Sequence, residues 1–398
     1  MIARSGLMIL GVAALAALSS PAFAQNNWVA AWGASQQSLG ETKISNATAR
    51  MIARVTLPGT SVRIRLDNTF GTAPLVIGHA TLAPRVRGPA VAAGLVRPVT
   101  FKGQASVTIP AGGSVESDTI VLRVDAQQDL AVSLFVTGAD IQPSQHNNAQ
   151  VTSYLTENGA GDQTASEDGK PFAGRTTTSM FWLKAIDVQP TAPASAIIAF
   201  GDSITDGTCT TLDSHDRWED LVAQRFALQN PVPFSVVNEG IGGNTVTRAG
   251  TNPTFASPPG VERLDRDVLS RPGVSHVVLF MGTNDINREV SAAEVIAGSK
   301  DIIARIRAKN IKVIGATMIP RHNDVWNEAK NNNRRAVNEW IRKDAGFDAV
   351  LDFDAVMRDP EKPDLMIPAY NCSDNIHPSP IGYFQMGKSV DLSIFTRR

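Results

Sequence analysis

The sequence predicts an all-β sandwich or jelly roll followed by an α/β domain whose parallel sheet is covered on both faces. Three observations predict it. From Trp28 to about Val188, short β-rich runs are broken by Gly, Pro and Asn, and almost no stretch carries a helical stripe. After the Pro/Ala-rich stretch Gln189 to Ala194 the pattern changes, and apolar runs alternate with longer helical patterns. The length of 398 residues allows roughly two to three domains.

The first segment reads as an address. Arg4 supplies a positive start, Leu7 to Leu18 is apolar, and Ala22-Phe23-Ala24 gives a small-x-small cleavage pattern. Residues 1–24 are therefore expected to be a signal peptide, the mature chain to begin at Gln25, and the product to be periplasmic or secreted. No later stretch reaches about 18 apolar residues, so no stable membrane anchor is expected. Charge is balanced, with 37 Lys+Arg against 38 Asp+Glu. That balance carries no basic field for nucleic acid, and it sets no oligomeric state.

Residues 25–188 form the expected β domain, of about 160 residues. Val62-Arg63-Ile64-Arg65-Leu66 alternates with period two, and Leu130 to Val136 is a second strand candidate. Pro58-Gly59 and Ala111-Gly112-Gly113 are turn signals. Residues 189–195 are the expected linker and 196–398 the α/β domain. There, Ala196 to Phe200, Phe234 to Val237, His276 to Phe280, Ile311 to Met318 and Ala349 to Phe353 read as buried strands. Arg217 to Leu228, Ser291 to Ala308 and Trp326 to Lys343 carry helical spacing. In such sheets ligands sit at the carboxyl ends of the strands, so chemistry is sought just after each strand.

The first strand runs into Phe200-Gly201-Asp202-Ser203-Ile204-Thr205-Asp206-Gly207. Ser203, delivered by a strand end with Gly201 close before it, is a candidate nucleophile. The G-x-S-x-G elbow is absent, and a Gly-Asp-Ser turn capping a helix is the structural alternative. Among six histidines, His377 stands out, because Asp374 precedes it by three residues in Asp374-Asn375-Ile376-His377-Pro378. That spacing lets the carboxylate accept a hydrogen bond from the imidazole Nδ1–H, fixing the tautomer that leaves Nε2 free to take the serine proton. The alternative is a loop in which Ser379 and Pro380 cap the last helix with His377 merely nearby. After the second and third strands come Asn238-Glu239-Gly240-Ile241-Gly242-Gly243-Asn244 and Met281-Gly282-Thr283-Asn284-Asp285. A glycine N–H and an Asn amide suit a developing oxyanion. The glycine-rich turn does not spell G-x-G-x-x-G, so it offers no dinucleotide site.

Cys209 and Cys372 are the only cysteines, and an even pair bound for an oxidising compartment predicts a disulfide. Cys209 lies six residues past Ser203 and Cys372 five before His377, so segments brought together for chemistry bring the sulfurs together too. Two buried thiols are the alternative. Two lone cysteines without C-x-x-C make no metal site.

Gly201-Asp202-Ser203, Gly243, Asn284 in Gly-Thr-Asn-Asp, and Asp374-x-x-His377, in this order, resemble the SGNH (GDSL) hydrolase family. The resemblance covers the second domain and implies a flavodoxin-like three-layer α/β/α fold and metal-free, cofactor-free hydrolysis of esters, thioesters or amides. It implies Ser203 as nucleophile, His377 as base and then acid, and Asp374 as its orienter. The Ser203 and Gly243 N–H groups and the Asn284 side chain would form the oxyanion hole. The first half is similar to β domains that precede such catalytic domains in bacterial members, with Asn68-Thr69-Phe70-Gly71 and Pro74-Leu75 as the matching stretch.

Other residues have plainer readings. Asp202 and Asp285 are expected to hydrogen-bond loop backbone. His146, His215 and His322 could reach the pocket but read as structural, and Trp28, Trp32 and Trp182 as packing. The expected function is a serine esterase for short acyl esters, with O-acetyl groups on poly- or oligosaccharide as the substrate class. A lysophospholipase or thioesterase is the lipid-directed alternative. A non-catalytic glycan-binding protein is the alternative of another class, and it has no need of this residue set.

Overall fold

The computed structural model describes residues 27–251 and 257–395; the expected signal peptide, residues 1–24, and Gln25 lie outside them. The alternating run at Val62 lies in the strand Gly59–Asp67, where Val62, Ile64 and Leu66 are fully buried and Arg63 and Arg65 occupy the opposite face. Among the described residues, one antiparallel sheet joins Val29–Gly33, Leu183–Pro190, Gly59–Asp67, Ile120–Val124 and Ser114–Glu116. A larger sheet centres on Ala47–Val55, Gln128–Val136 and Leu75–Arg87. Ile64, Leu66, Met51, Leu82, Val132 and Leu134 from the two sheets share one core. The Gln128–Val136 strand is buried on its second face as well, because Arg50 lies there. Arg50 donates to Ser133 Oγ and to the Pro89 and Ser166 carbonyls, and its guanidinium stacks on Phe172 at 4.2 Å.

The parallel sheet runs Phe234–Gly240, Ser195–Gly201, Val274–Phe280, Lys312–Ala316, Ala349–Leu351 across its width. In chain order that is second, first, third, fourth, fifth, the flavodoxin-like arrangement, whose crevice opens beside the first and third strands. Two apolar clusters cover its two faces: Ile302, Ile306, Val337 and Trp340 on one, and Trp218, Val222, Tyr383 and Met386 on the other. Helix starts follow local chemistry. Ser291 and Glu294 form a reciprocal capping box at Ala292–Arg307, and Ser379 Oγ accepts from Gly382 N with Pro380 opening Pro380–Ser389. The expected strand Ala349 to Phe353 stops at Leu351, because Asp352 caps the short helix Phe353–Met357. No helix among the described residues is long and apolar enough to cross a membrane.

The two halves are joined tightly. Gln189 and Pro190 of the expected linker close the strand Leu183–Pro190, and only residues 191–194 separate it from Ser195–Gly201. The outermost strand of the parallel sheet, Phe234–Gly240, would expose unpaired backbone at its edge, and the β domain covers it. Thr56 Oγ1 donates to the Val236 carbonyl and accepts from its N–H, both at 3.0 Å, while Ser235 Oγ donates to the Ala30 carbonyl. Nearer the strand ends lies a buried ionic cluster. Arg271 pairs with Glu239, Ser35 Oγ donates to Glu239 Oε2 at 2.6 Å, and Lys184 pairs with Asp67 and Asp267 at 2.9 and 3.4 Å. Burial pushes the Glu239 carboxyl above its usual range despite Arg271. At Asp267 burial is outweighed by Arg266, Lys184 and Arg263, which hold the carboxyl well below its usual range.

Candidate active site

Ser203 opens the four-residue helix Ser203–Asp206 at the carboxyl end of Ser195–Gly201. Gly201 is required by close approach: a Cβ there would overlap Thr205 Oγ1 and come within 2.8 Å of the Phe280 carbonyl oxygen. Asp202 is the N-cap, its Oδ1 accepting from Ile204 N at 3.0 Å, as expected for a loop-ordering carboxylate. The turn that carries Ser203 is thus a helix cap, which leaves the Ser203 hydroxyl at the strand end.

His377 comes from the loop before the last helix. Its Nε2 lies 2.8 Å from Ser203 Oγ and its Nδ1 2.5 Å from Asp374 Oδ2. The other Asp374 oxygen accepts the Ile376 and His377 backbone N–H groups, each at 2.9 Å. Burial opposes ionisation of Asp374, but bonds from the His377 ring and these two amides win and lower its carboxyl to about 2. A carboxylate at Nδ1 fixes that nitrogen as the donor, so Nε2 is the acceptor facing the serine hydroxyl.

The expected oxyanion donors lie at the ends of neighbouring strands. Gly243 sits in the turn after Phe234–Gly240 with φ of +72°, a left-handed conformation that suits glycine. The Ser203 and Gly243 N–H groups donate to no acceptor among the described residues. Asn284, in the short helix Thr283–Asn287, donates one amide hydrogen to the Asn244 carbonyl at 3.0 Å and has a second to offer. Asp285 binds the same loop, accepting from Val246 N, Thr247 N and Thr247 Oγ1.

Cys209 and Cys372 form a disulfide, with Cα atoms 6.2 Å apart. It ties the loop after Ser203 to the Asp374/His377 loop, and closing a chain segment of 163 residues contributes up to roughly 5 kcal/mol. Tyr383 OH repeats the link by donating to the Thr208 carbonyl at 2.8 Å.

Sequence reasoning missed the arginines. Arg263 is buried, stacks on Phe200 at 4.2 Å, and donates to the Gly201 carbonyl, the Glu239 carbonyl and Asn244 Oδ1. One guanidinium therefore holds two strand ends and the turn that carries Asn244. Arg288 donates to the Gly243 carbonyl at 3.0 Å. Arg321, after the fourth strand, is buried near Asp202 and Asp374, and burial lowers its pKa to about 10. Isolated arginines in a sequence read as solvated, and nothing local marked these. His215 turns to Asp129 of the β domain, 3.8 Å away, and the His322 backbone N–H donates to the Asn375 carbonyl in the loop that carries His377.

Burial raises the Asp202 carboxyl to about 6, against the pull of Ile204 N–H, His377 and Arg321. In the unfolded chain an aspartate ionises near pH 4. Stability is therefore fullest below about pH 4 and is lost as pH rises through about 6. Asp202→Asn keeps the oxygen that caps Ile204 and carries no charge. Its melting temperature is expected to exceed wild type at pH 7.5, by the equivalent of at most roughly 3 kcal/mol, with the gain gone at pH 4. The same gain at both pH values would clear the carboxylate of this role.

A serine, a histidine and an aspartate in hydrogen-bonded series at the crevice of a flavodoxin-like sheet define a serine-hydrolase type of site. Residues 199–384 match the GDSL-like lipase/acylhydrolase family. No curated protein matches the chain. Among solved structures, the Mycobacterium smegmatis aryl esterase is 18% identical, covering 49% of this chain and 96% of its own, with a TM-score of 0.40. A carbohydrate acetylesterase from Sinorhizobium meliloti is 14% identical, covering 48% and 94%, with a TM-score of 0.38. An acetylxylan esterase from Geobacillus stearothermophilus is 20% identical, covering 50% and 93%, again at 0.38.

Proposed function

We propose that the chain is an exported serine esterase that removes short acyl groups, acetyl on carbohydrate foremost, through an acyl-enzyme on Ser203. The observation that carries this reading is the series Asp374 Oδ2, His377 Nδ1, His377 Nε2, Ser203 Oγ, at 2.5 and 2.8 Å. His377 takes the serine proton as Oγ attacks the ester carbonyl. The oxyanion is received by the Ser203 and Gly243 N–H groups and the Asn284 amide. His377 then returns the proton to the leaving alcohol, and water repeats the sequence to free the acid.

Support for a short acyl group and a polar alcohol comes from the polar side chains gathered at the strand ends, Asn244, Asn284, Arg288 and Arg321. Support for export comes from the leader pattern and from a disulfide, which persists in oxidising compartments. The test is hydrolysis of p-nitrophenyl acetate, butyrate and octanoate by the mature chain, with acid release from acetylated xylan alongside. Acetate is expected to turn over fastest. A preference for octanoate would transfer the assignment to lipids, and retention on a glycan gel without acid release would transfer it to glycan binding.

A further inference from the structure

His146 lies in the β domain, in the strand Ser144–His146, which pairs with Met180–Phe181 on one side and Ser38–Leu39 on the other. It is 3% exposed and far in sequence from every residue of the site. Its Nδ1 is 2.9 Å from the Ser35 carbonyl oxygen and its Nε2 is 2.9 Å from Asp206 Oδ1. Asp206 is the last residue of the helix that Ser203 opens. Its second oxygen, Oδ2, accepts the Gly242 N–H at 2.7 Å, and Gly242 is bonded covalently to Gly243.

The chemistry of these partners fixes the protons. A carbonyl oxygen only accepts, so Nδ1 must carry a hydrogen. A carboxylate already receiving an amide hydrogen on one oxygen accepts from Nε2 on the other, so the ring is held as an imidazolium. Arg217 opposes that charge, its Nε donating to the Asp206 carbonyl, and His215, Glu219, Asp220 and Arg54 line the same small cavity between the domains. Burial also opposes it, yet Asp206 and the Ser35 carbonyl prevail and the pKa is raised.

We propose that His146 is a positioning residue through which the β domain orients the Gly242–Gly243 turn, so that both domains are needed to set the oxyanion hole. The proposal rests on the esterase reading of Ser203. Without the imidazolium, Asp206 loses the partner that fixes its rotamer, and the turn it holds gains freedom where a donor must meet an oxyanion. Misplacement of that kind slows the chemical step and leaves ground-state binding intact.

The experiment compares His146→Ala, His146→Gln and Thr56→Val on p-nitrophenyl acetate. Glutamine can place an N–H where Nε2 was, so it keeps the bond to Asp206 and gives up the one to Ser35. His146→Ala is expected to lower kcat by about 10- to 50-fold with KM within about twofold, and His146→Gln to recover kcat to within about threefold of wild type. Thr56→Val removes bonds at the same domain interface but at mid-strand, and is expected to lower the melting temperature with kcat unchanged. An unchanged kcat in His146→Ala, or a kcat loss in Thr56→Val matching its melting-temperature loss, would overturn the proposal. The second readout is exchange of the Gly242 amide by NMR, expected to be at least about tenfold faster than wild type in His146→Ala and near wild type in His146→Gln. If wild type proves inactive on esters, the esterase reading fails alone, and unaltered Gly242 exchange in His146→Ala is what overturns the link.

Discussion

Ser203→Ala and His377→Ala are each expected to lower kcat by about four to six decades, and the double variant to be no slower than the worse of the two. The reason is geometric. Ser203 Oγ and His377 Nε2 lie 2.8 Å apart, and the proposed mechanism moves one proton between them, so removing either partner removes the step. Asp374→Asn is expected to cost roughly four decades, because an amide can donate to Nδ1 and so moves the ring proton to Nε2, where it faces the serine. Melting temperatures should stay near wild type, since the disulfide and the Tyr383 to Thr208 bond still hold the loops together. Multiplicative losses in the double variant would show that the two residues act independently and would remove the proton relay from the mechanism.

The parts of this molecule that could be read in sequence are those where one chemical requirement acts locally. The period of two at Val62 to Leu66 reports a strand with one face in a core, and the alternation of apolar runs with helical patterns reports a parallel sheet. Residues after strand ends carry the site because the sheet's geometry puts them there. Asp374 and His377 were legible for the same reason, being three residues apart in one loop. The union of the domains was not legible. Glu239, Asp267, Arg263, Arg271 and Lys184 are charged and would ordinarily be assigned to the surface, yet they are buried because each meets a partner distant in sequence. The same holds for His146, whose partners Ser35 and Asp206 lie on opposite sides of the domain boundary. Short helices such as Thr283–Asn287 also escaped notice, since five residues carry too little periodicity to show.

Asn284→Ala is expected to lower kcat by about two to three decades with KM within about threefold, the loss of one oxyanion donor being worth about 3–4 kcal/mol in the transition state. The amide does two things at once. One hydrogen goes to the Asn244 carbonyl, and Asn244 is held in turn by Arg263 Nε and by its own bond to the Pro258 carbonyl. The remaining hydrogen is the proposed donor for the oxyanion. Because Asn244 keeps its other bonds when Asn284 is cut back, the loop should stay in place and the loss should fall on the reacting carbonyl. Affinity for an alkylboronic acid, which forms a tetrahedral adduct with the serine oxygen, should then fall in step with kcat. Asn284→Asp should be slower still, since it sets a carboxylate against both the oxyanion and the Asn244 carbonyl. A kcat near wild type in Asn284→Ala would take this side chain out of the oxyanion hole and leave the two backbone N–H groups to carry it.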